Sequence, residues 1–187
     1  SHAGFAQPCG PCGPWASRAE GAIMTANSTQ HPDQSGLTHR PLGVTTGITV
    51  SDLGLGLWAV AGSEWGPGND AASLEAIEVA LDAGITFFDT ADIYSDGHSE
   101  ELLGQAMAGR RERFIVASKI GWNGFDREAN HSRYDTAESI VSGVETSLQR
   151  LNTDHLDVIQ CHINYTEPNT DAFIEGFRAL KAQGKVR

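Results

Sequence analysis

The sequence predicts an α/β fold of barrel type, with about four β/α units in this chain. Three observations carry the prediction. Short apolar runs rich in β-branched and aromatic residues alternate four times with longer segments whose apolar residues recur at helical spacing. Strands that are apolar along their length and separated by helices belong in a parallel sheet with right-handed crossovers, which suits both a barrel and an open sheet. The barrel is favoured because Asp89, Lys119 and His162 each close a strand at its carboxyl end, where barrel proteins place their reactive groups.

The organised part is expected to begin near Pro41. Leu42 to Val50 reads as a hairpin with its turn at Thr46 and Gly47. Leu53 to Trp58 (LGLGLW) is too short for a helix and reads as the first buried strand. Asn69 or Asp70 can cap a helix in which Leu74, Ile77, Ala80 and Leu81 share a face, and Gly84 can stop it. Ile85 to Asp89 (ITFFD) is the second strand, Ser99 opens a second helix, SEELLGQAMAG, and Phe114 to Lys119 (FIVASK) is the third strand.

Asp135 and Glu138 stand at capping-box spacing before a stripe of Ile140, Val141, Val144, Leu148 and Leu151. Leu156 to His162 (LDVIQCH) is the fourth strand, and a helix from Thr170 carries Phe173, Ile174, Phe177 and Leu180 before Gly184.

Residues 1–40 form no domain by this reading. The stretch before Met24 is dense in Gly, Pro and Ala, lacks both the basic end and the apolar core of a secretory signal, and reads as a non-native or disordered extension. A cytoplasmic protein is expected. Cys9 and Cys12 stand in a CGPC string like that of thioredoxins, yet no strand precedes it, and Gly13 and Pro14 prevent a helix from following. A zinc site there lacks a second ligand pair. Cys161 reads as a small buried hydrophobe, and three cysteines suit a reducing compartment.

Among the 187 residues, 24 are acidic and 13 basic, a formal charge of −11 with no local basic cluster. Such a surface repels phosphate backbones, so nucleic acid is not expected as a partner. No apolar stretch approaches the roughly 18 residues that would span a bilayer.

The run FDTADIY from Phe88 to Tyr94, then SEELLG from Ser99, VASK ending at Lys119 and LDVIQCH ending at His162 together resemble the signatures of the aldo-keto reductases. The likeness extends from about Leu53 to Arg187. It implies a (β/α)8 barrel, an extended nicotinamide cofactor, NADP(H) first and NAD(H) second, and a small carbonyl or alcohol substrate. It also implies a catalytic tetrad of Asp89, Tyr94, Lys119 and His162, with Gly56, Leu57, Trp58 and Asp89 bordering the cofactor. Trp58 and Trp122 could line an apolar substrate cleft.

The tetrad makes chemical sense. Hydride delivery to a carbonyl carbon leaves negative charge on the oxygen, which a nearby proton donor relieves. An ordinary tyrosine gives up its proton near pH 10, so a neighbouring ammonium is needed to stabilise its phenolate. Lys119 can supply that charge, Asp89 can hold Lys119, and His162 can orient the carbonyl. A metal site from Asp89, His98 and His162 lacks the close ligand pairing of zinc motifs.

Two alternatives stand beside this reading. One is a non-catalytic, cofactor-sensing regulatory subunit resembling the potassium-channel β-subunits of the same family. The other is a barrel chemistry in which Lys119 forms a Schiff base. The 147 residues from Pro41 to Arg187 are little more than half of the about 250 in a complete barrel. A sheet of four such strands leaves two unpaired edges, so self-association or poor folding of the isolated chain is expected. Ser95 stands where the family commonly has Gly, and the INY after His162 departs from the family's usual continuation.

Overall fold

The computed structural model describes residues 36–60, 62, 67–122, 133–162 and 169–187. The readings of residues 1–35, including Cys9 and Cys12, and of residues 163–165 lie outside these.

Two short strands, β1 (His39–Pro41) and β2 (Thr49–Ser51), pair antiparallel with Arg40 opposite Val50. This is the expected hairpin with its strands moved outward. The Leu42 N–H donates to the Ile48 carbonyl at 2.8 Å, and Gly43 and Gly47 turn the chain with φ of 75° and 68°. Ser51 fastens the hairpin to the chain at Thr86: its N–H donates to Thr86 Oγ1 at 3.1 Å and its Oγ accepts the Thr86 N–H at 2.9 Å.

The main sheet has four parallel strands in the order β3 (Gly54–Gly56), β4 (Phe87–Asp89), β5 (Ile115–Ile120) and β6 (Val158–Cys161). Chain order equals spatial order, so each crossover advances one strand in the same direction. Right-handed crossovers then set helices α1 (Asp70–Asp82), α2 (His98–Met107) and α3 (Ala137–Arg150) on one face. That is the winding of a (β/α)8 barrel, since a doubly wound sheet reverses its strand order part-way. After α4 (Thr170–Ala182), Val186 forms a parallel bridge with Leu156, the beginning of a further parallel partner on the β6 side.

The strand register separates two rows of side chains. Phe88, Val116 and Ile120 are fully buried in the core with Ile77, Leu103, Val144 and Leu180. The alternate row holds Phe87, Asp89, Ile115, Lys119 and Val158, all only part-buried, the fully buried Ala117, and Gly54, Gly56 and Gln160, all exposed. The strands were expected to be apolar throughout; among the described residues one face carries most of the packing, with Ala117 the fully buried residue of the other.

Helix starts refine the sequence reading. Asn69 caps α1 by accepting the Ala72 N–H at 3.1 Å. At α3 the capping box is Thr136 with Ser139 rather than Asp135 with Glu138, because Thr136 is the last residue with extended backbone (φ −131°, ψ 158°). Left-handed Gly97 (φ 95°) precedes α2, so Ser99 stands inside the helix.

One burial expectation fails. Cys161 is exposed, because it ends an edge strand with a neighbour on one side only. No helix among the described residues is long and apolar enough to cross a membrane.

Candidate active site

Barrel winding brings the carboxyl ends of four strands together. Asp89 is the last residue of β4, Lys119 the fifth of six in β5, and His162 follows β6 directly. Backbone bonds continue the ladders past the strand ends: Leu57 N–H donates to Asp89 at 2.9 Å, Asp92 N–H to Lys119 at 3.1 Å, and His162 N–H to Ile120 at 2.9 Å. These fix the roots of the side chains above them.

Lysine carries three ammonium protons and no acceptor. Lys119 directs them to Asp89 Oδ2 at 2.7 Å, the Thr90 carbonyl at 2.8 Å and Tyr94 Oη at 3.0 Å. The ammonium is therefore fully coordinated, and the phenol oxygen accepts one of its bonds. Among the described residues the Tyr94 hydroxyl proton has no acceptor of its own.

His162 meets the Tyr94 ring edge-on, with centroids 5.6 Å apart and an interplanar angle of 78°. Burial, followed by the charge of Lys119, lowers the His162 pKa from the ordinary 6.5, while Asp89 acts in the opposite direction. The imidazole is thus neutral at pH 7. Among the described residues its buried Nδ1 has no hydrogen-bond partner. A tautomer with its proton on Nε2 leaves only a lone pair at that buried atom, and not an unpaired N–H.

Trp58 stacks beside Tyr94 at 6.3 Å and 28°, with 48% of its surface exposed. A Cβ on Gly56 would meet nothing within 4 Å, so the backbone there is open to a ligand. Leu57 is different: its side chain is fully buried, its N–H is bonded to Asp89, and its carbonyl accepts from Ser99 Oγ at 3.1 Å. Trp122 is half-buried two residues past β5. His98 bonds Asp70 at 2.9 Å and Glu101 at 3.1 Å, a separate cluster at the starts of α1 and α2.

Residues that the sequence reading passed over support the site. The Thr90 carbonyl is the third acceptor of Lys119. Glu100 is fully buried, accepts from Ser118 Oγ at 2.7 Å and pairs with Arg150 at 3.3 Å. Asp92 is also buried, with Oδ2 accepting from Tyr134 Oη at 3.1 Å. The only signal for Glu100 was its place on the side of α2 that carries Leu103 and Met107, and nothing local marks Arg150.

A family model described as the aldo/keto reductase family matches residues 52–187. The aldo-keto reductase YhdN of Bacillus subtilis (strain 168) is 40% identical over 148 residues, covering 76% of this chain and 43% of that protein. A probable voltage-gated potassium channel subunit beta of Oryza sativa subsp. japonica is 36% identical over 120 residues, covering 63% of this chain and 35% of the other. Among solved structures, the holo form of an aldo-keto reductase from Bacillus halodurans matches with a TM-score of 0.69 at 33% identity, covering 81% of this chain and 48% of that one. An aldo-keto reductase from Klebsiella pneumoniae in complex with NADPH matches with a TM-score of 0.56 at 32% identity, covering 74% and 44%. The chain spans less than half the length of each of these proteins.

Proposed function

Since the chain belongs to the aldo/keto reductase family, we propose that its strand-end cluster is the proton-handling part of a site that reduces an aldehyde or ketone to an alcohol, or runs the reverse. The observation that carries this reading is the triply coordinated Lys119, which donates to Tyr94 Oη and, among the described residues, leaves the phenol proton without an acceptor. Tyr94 is the general acid of reduction and the general base of oxidation.

A nicotinamide, NADP(H) first and NAD(H) second, would supply the hydride when bound. The residues present fit it: Gly56 offers open backbone, Trp58 an exposed ring and Asp89 a half-buried carboxylate at one end of the cluster. Leu57, buried and with both backbone groups engaged, could border the cofactor only through the bulk behind Gly56.

As charge develops on a carbonyl oxygen, Tyr94 Oη donates its proton there, and the resulting phenolate faces the Lys119 ammonium. Asp89 balances that ammonium so that it stays in place between turnovers. His162, neutral and protonated on Nε2, donates to the same carbonyl oxygen and fixes its direction. Trp58, and Trp122 further along, form apolar walls for the substrate. A cytoplasmic location and association through the open sides of β3 and β6 accompany this reading.

The test is oxidation of NADPH by the full chain with a reactive aromatic aldehyde, beside Tyr94→Phe. Loss of a general acid lowers turnover by about 10²–10⁴-fold, and a Tyr94→Phe variant as active as the parent overturns the assignment. The potassium-channel β-subunit relative favours a second reading, a cofactor-sensing subunit without turnover. NADPH binding to a chain with no turnover on any aldehyde would select it.

A further inference from the structure

The segment that carries Tyr94 has a strained backbone. Ser95 and Asp96 both adopt left-handed conformation (φ 49° and 55°), followed by Gly97 at 95°. Consecutive left-handed residues other than glycine persist only where their surroundings impose them, at about 1–2 kcal/mol for each residue. Within the turn, Tyr94 N–H donates to Ala91 at 3.2 Å and Asp96 N–H to Ile93 at 3.1 Å. The His98 N–H bonds back to the Tyr94 and Ser95 carbonyls, and Ser95 Oγ donates to the Gly62 carbonyl at 3.3 Å. A further restraint comes from another helix.

Arg150, the last residue of α3, reaches beneath this turn. Its Nη1 donates to the Asp92 carbonyl at 3.1 Å, and its guanidinium lies so close to Gly97 that a Cβ there would collide with it. One side chain therefore touches both ends of the Asp92–Gly97 segment. Arg150 is itself seated on Glu100, whose carboxylate is fully buried and whose other oxygen accepts from Ser118 Oγ. Ser118 precedes Lys119 on β5, so the same carboxylate ties down the strand that supplies the ammonium. Close approach at Gly104, where a Cβ would stand 2.7 Å from the Arg150 carbonyl, lets α2 and α3 come near enough for the pair to form.

We infer that Arg150, held by Glu100, is a positioning residue that keeps the Tyr94 phenol against Lys119. The inference rests on the reading of Tyr94 and Lys119 as the proton-handling pair, although neither Arg150 nor Glu100 bonds to Tyr94, Lys119 or His162. Buried ion pairs are a poor source of net stability, and a pair beneath a strained turn is better explained by what it orients.

The test uses the full chain with Arg150→Met and Arg150→Lys, and reads Tyr94 directly through 13C-labelled tyrosine rings assigned with Tyr94→Phe. In the parent, the Tyr94 ring shows nuclear Overhauser contacts to the Lys119 side chain. In Arg150→Met these contacts are lost while the methyl signals of Ile77 and Val116 stay in place. Arg150→Lys, which keeps a charge beside Glu100, retains part of them and serves alone if the methionine variant does not fold. Turnover, where the parent shows it, falls by about 100-fold in kcat with little change in KM, as expected when a reacting group is displaced by about 1 Å. A folded Arg150→Met that keeps the Tyr94–Lys119 contacts, or, where that variant does not fold, an Arg150→Lys whose contacts are undiminished from the parent's, overturns the inference. A parent without turnover defeats the catalytic reading alone, because the ring contacts still decide whether Arg150 positions Tyr94.

Discussion

The ammonium of Lys119 lies 3.0 Å from the hydroxyl oxygen of Tyr94 and 4.6 Å from the centre of its ring. It therefore bonds the oxygen while also standing within cation–π distance of the ring, and its charge acts on the atom that would bear the phenolate. Lys119→Met keeps the length of the side chain and removes the charge together with all three donated bonds. Turnover of an aromatic aldehyde with NADPH is expected to fall by about 10²–10⁴-fold, with the urea midpoint below the parent's because the part-buried Asp89 carboxylate and the Thr90 carbonyl lose their donor. Unchanged turnover in this variant would remove Lys119 from the mechanism.

Asp89, Lys119 and His162 could be placed at strand ends because these follow from short apolar runs such as ITFFD and FIVASK, whereas Tyr94 stands in the turn after β4 and was marked by the family resemblance alone. Strand order was legible from the same runs, since each helix is long enough for one crossover. The support beneath the cluster was not. Glu100 looks like an ordinary acidic residue in the first turn of a helix, and its burial follows from α3 packing over it. Cys161 was misread because an apolar run does not reveal whether its strand has neighbours on both sides. The position of the α3 capping box depended on one residue's backbone angle, which the spacing of Asp135 and Glu138 could not give.

Asp92 makes the fold sensitive to pH in a specific direction. Burial, opposed in part by the Tyr134 hydroxyl, raises its pKa from 3.8 to about 6, and among the described residues the buried Oδ1 has no partner. Glu100 adds to the rise, while Arg133 and Arg150 oppose it. Between these two values the folded chain holds a proton that the unfolded chain releases. The contribution of this group is therefore fully present below pH 3.8 and is lost as pH rises through 6. Asp92→Asn keeps an acceptor for Tyr134 and cannot ionise. Relative to this variant, the parent is expected to lose stability between pH 4 and 7, by at most on the order of 3 kcal/mol. Urea unfolding of both proteins across that range measures the difference, and a constant gap between them refutes the account.

At the amino end of β6, Asp157 gathers three donors onto a fully buried carboxylate: Val116 N–H at 2.8 Å, Arg111 Nη2 at 2.8 Å and Arg187 Nη1 at 2.8 Å. Arg111 precedes β5 and Arg187 follows α4, so one side chain joins the roots of two strands to the segment that bridges Leu156. This cluster lies at the opposite end of the strands from Tyr94, and the separation of the two ends is what allows stability and turnover to be tested apart. Asp157→Ala leaves a buried N–H unpaired and two guanidinium groups without their carboxylate. A loss of about 3 kcal/mol is expected. Asp157→Asn keeps an acceptor for Val116 and should lose less. In both variants the Tyr94 ring contacts to Lys119 should persist at temperatures where the chain is folded. Loss of those contacts in folded Asp157→Asn would mean that the strand roots position the phenol as well as hold the sheet.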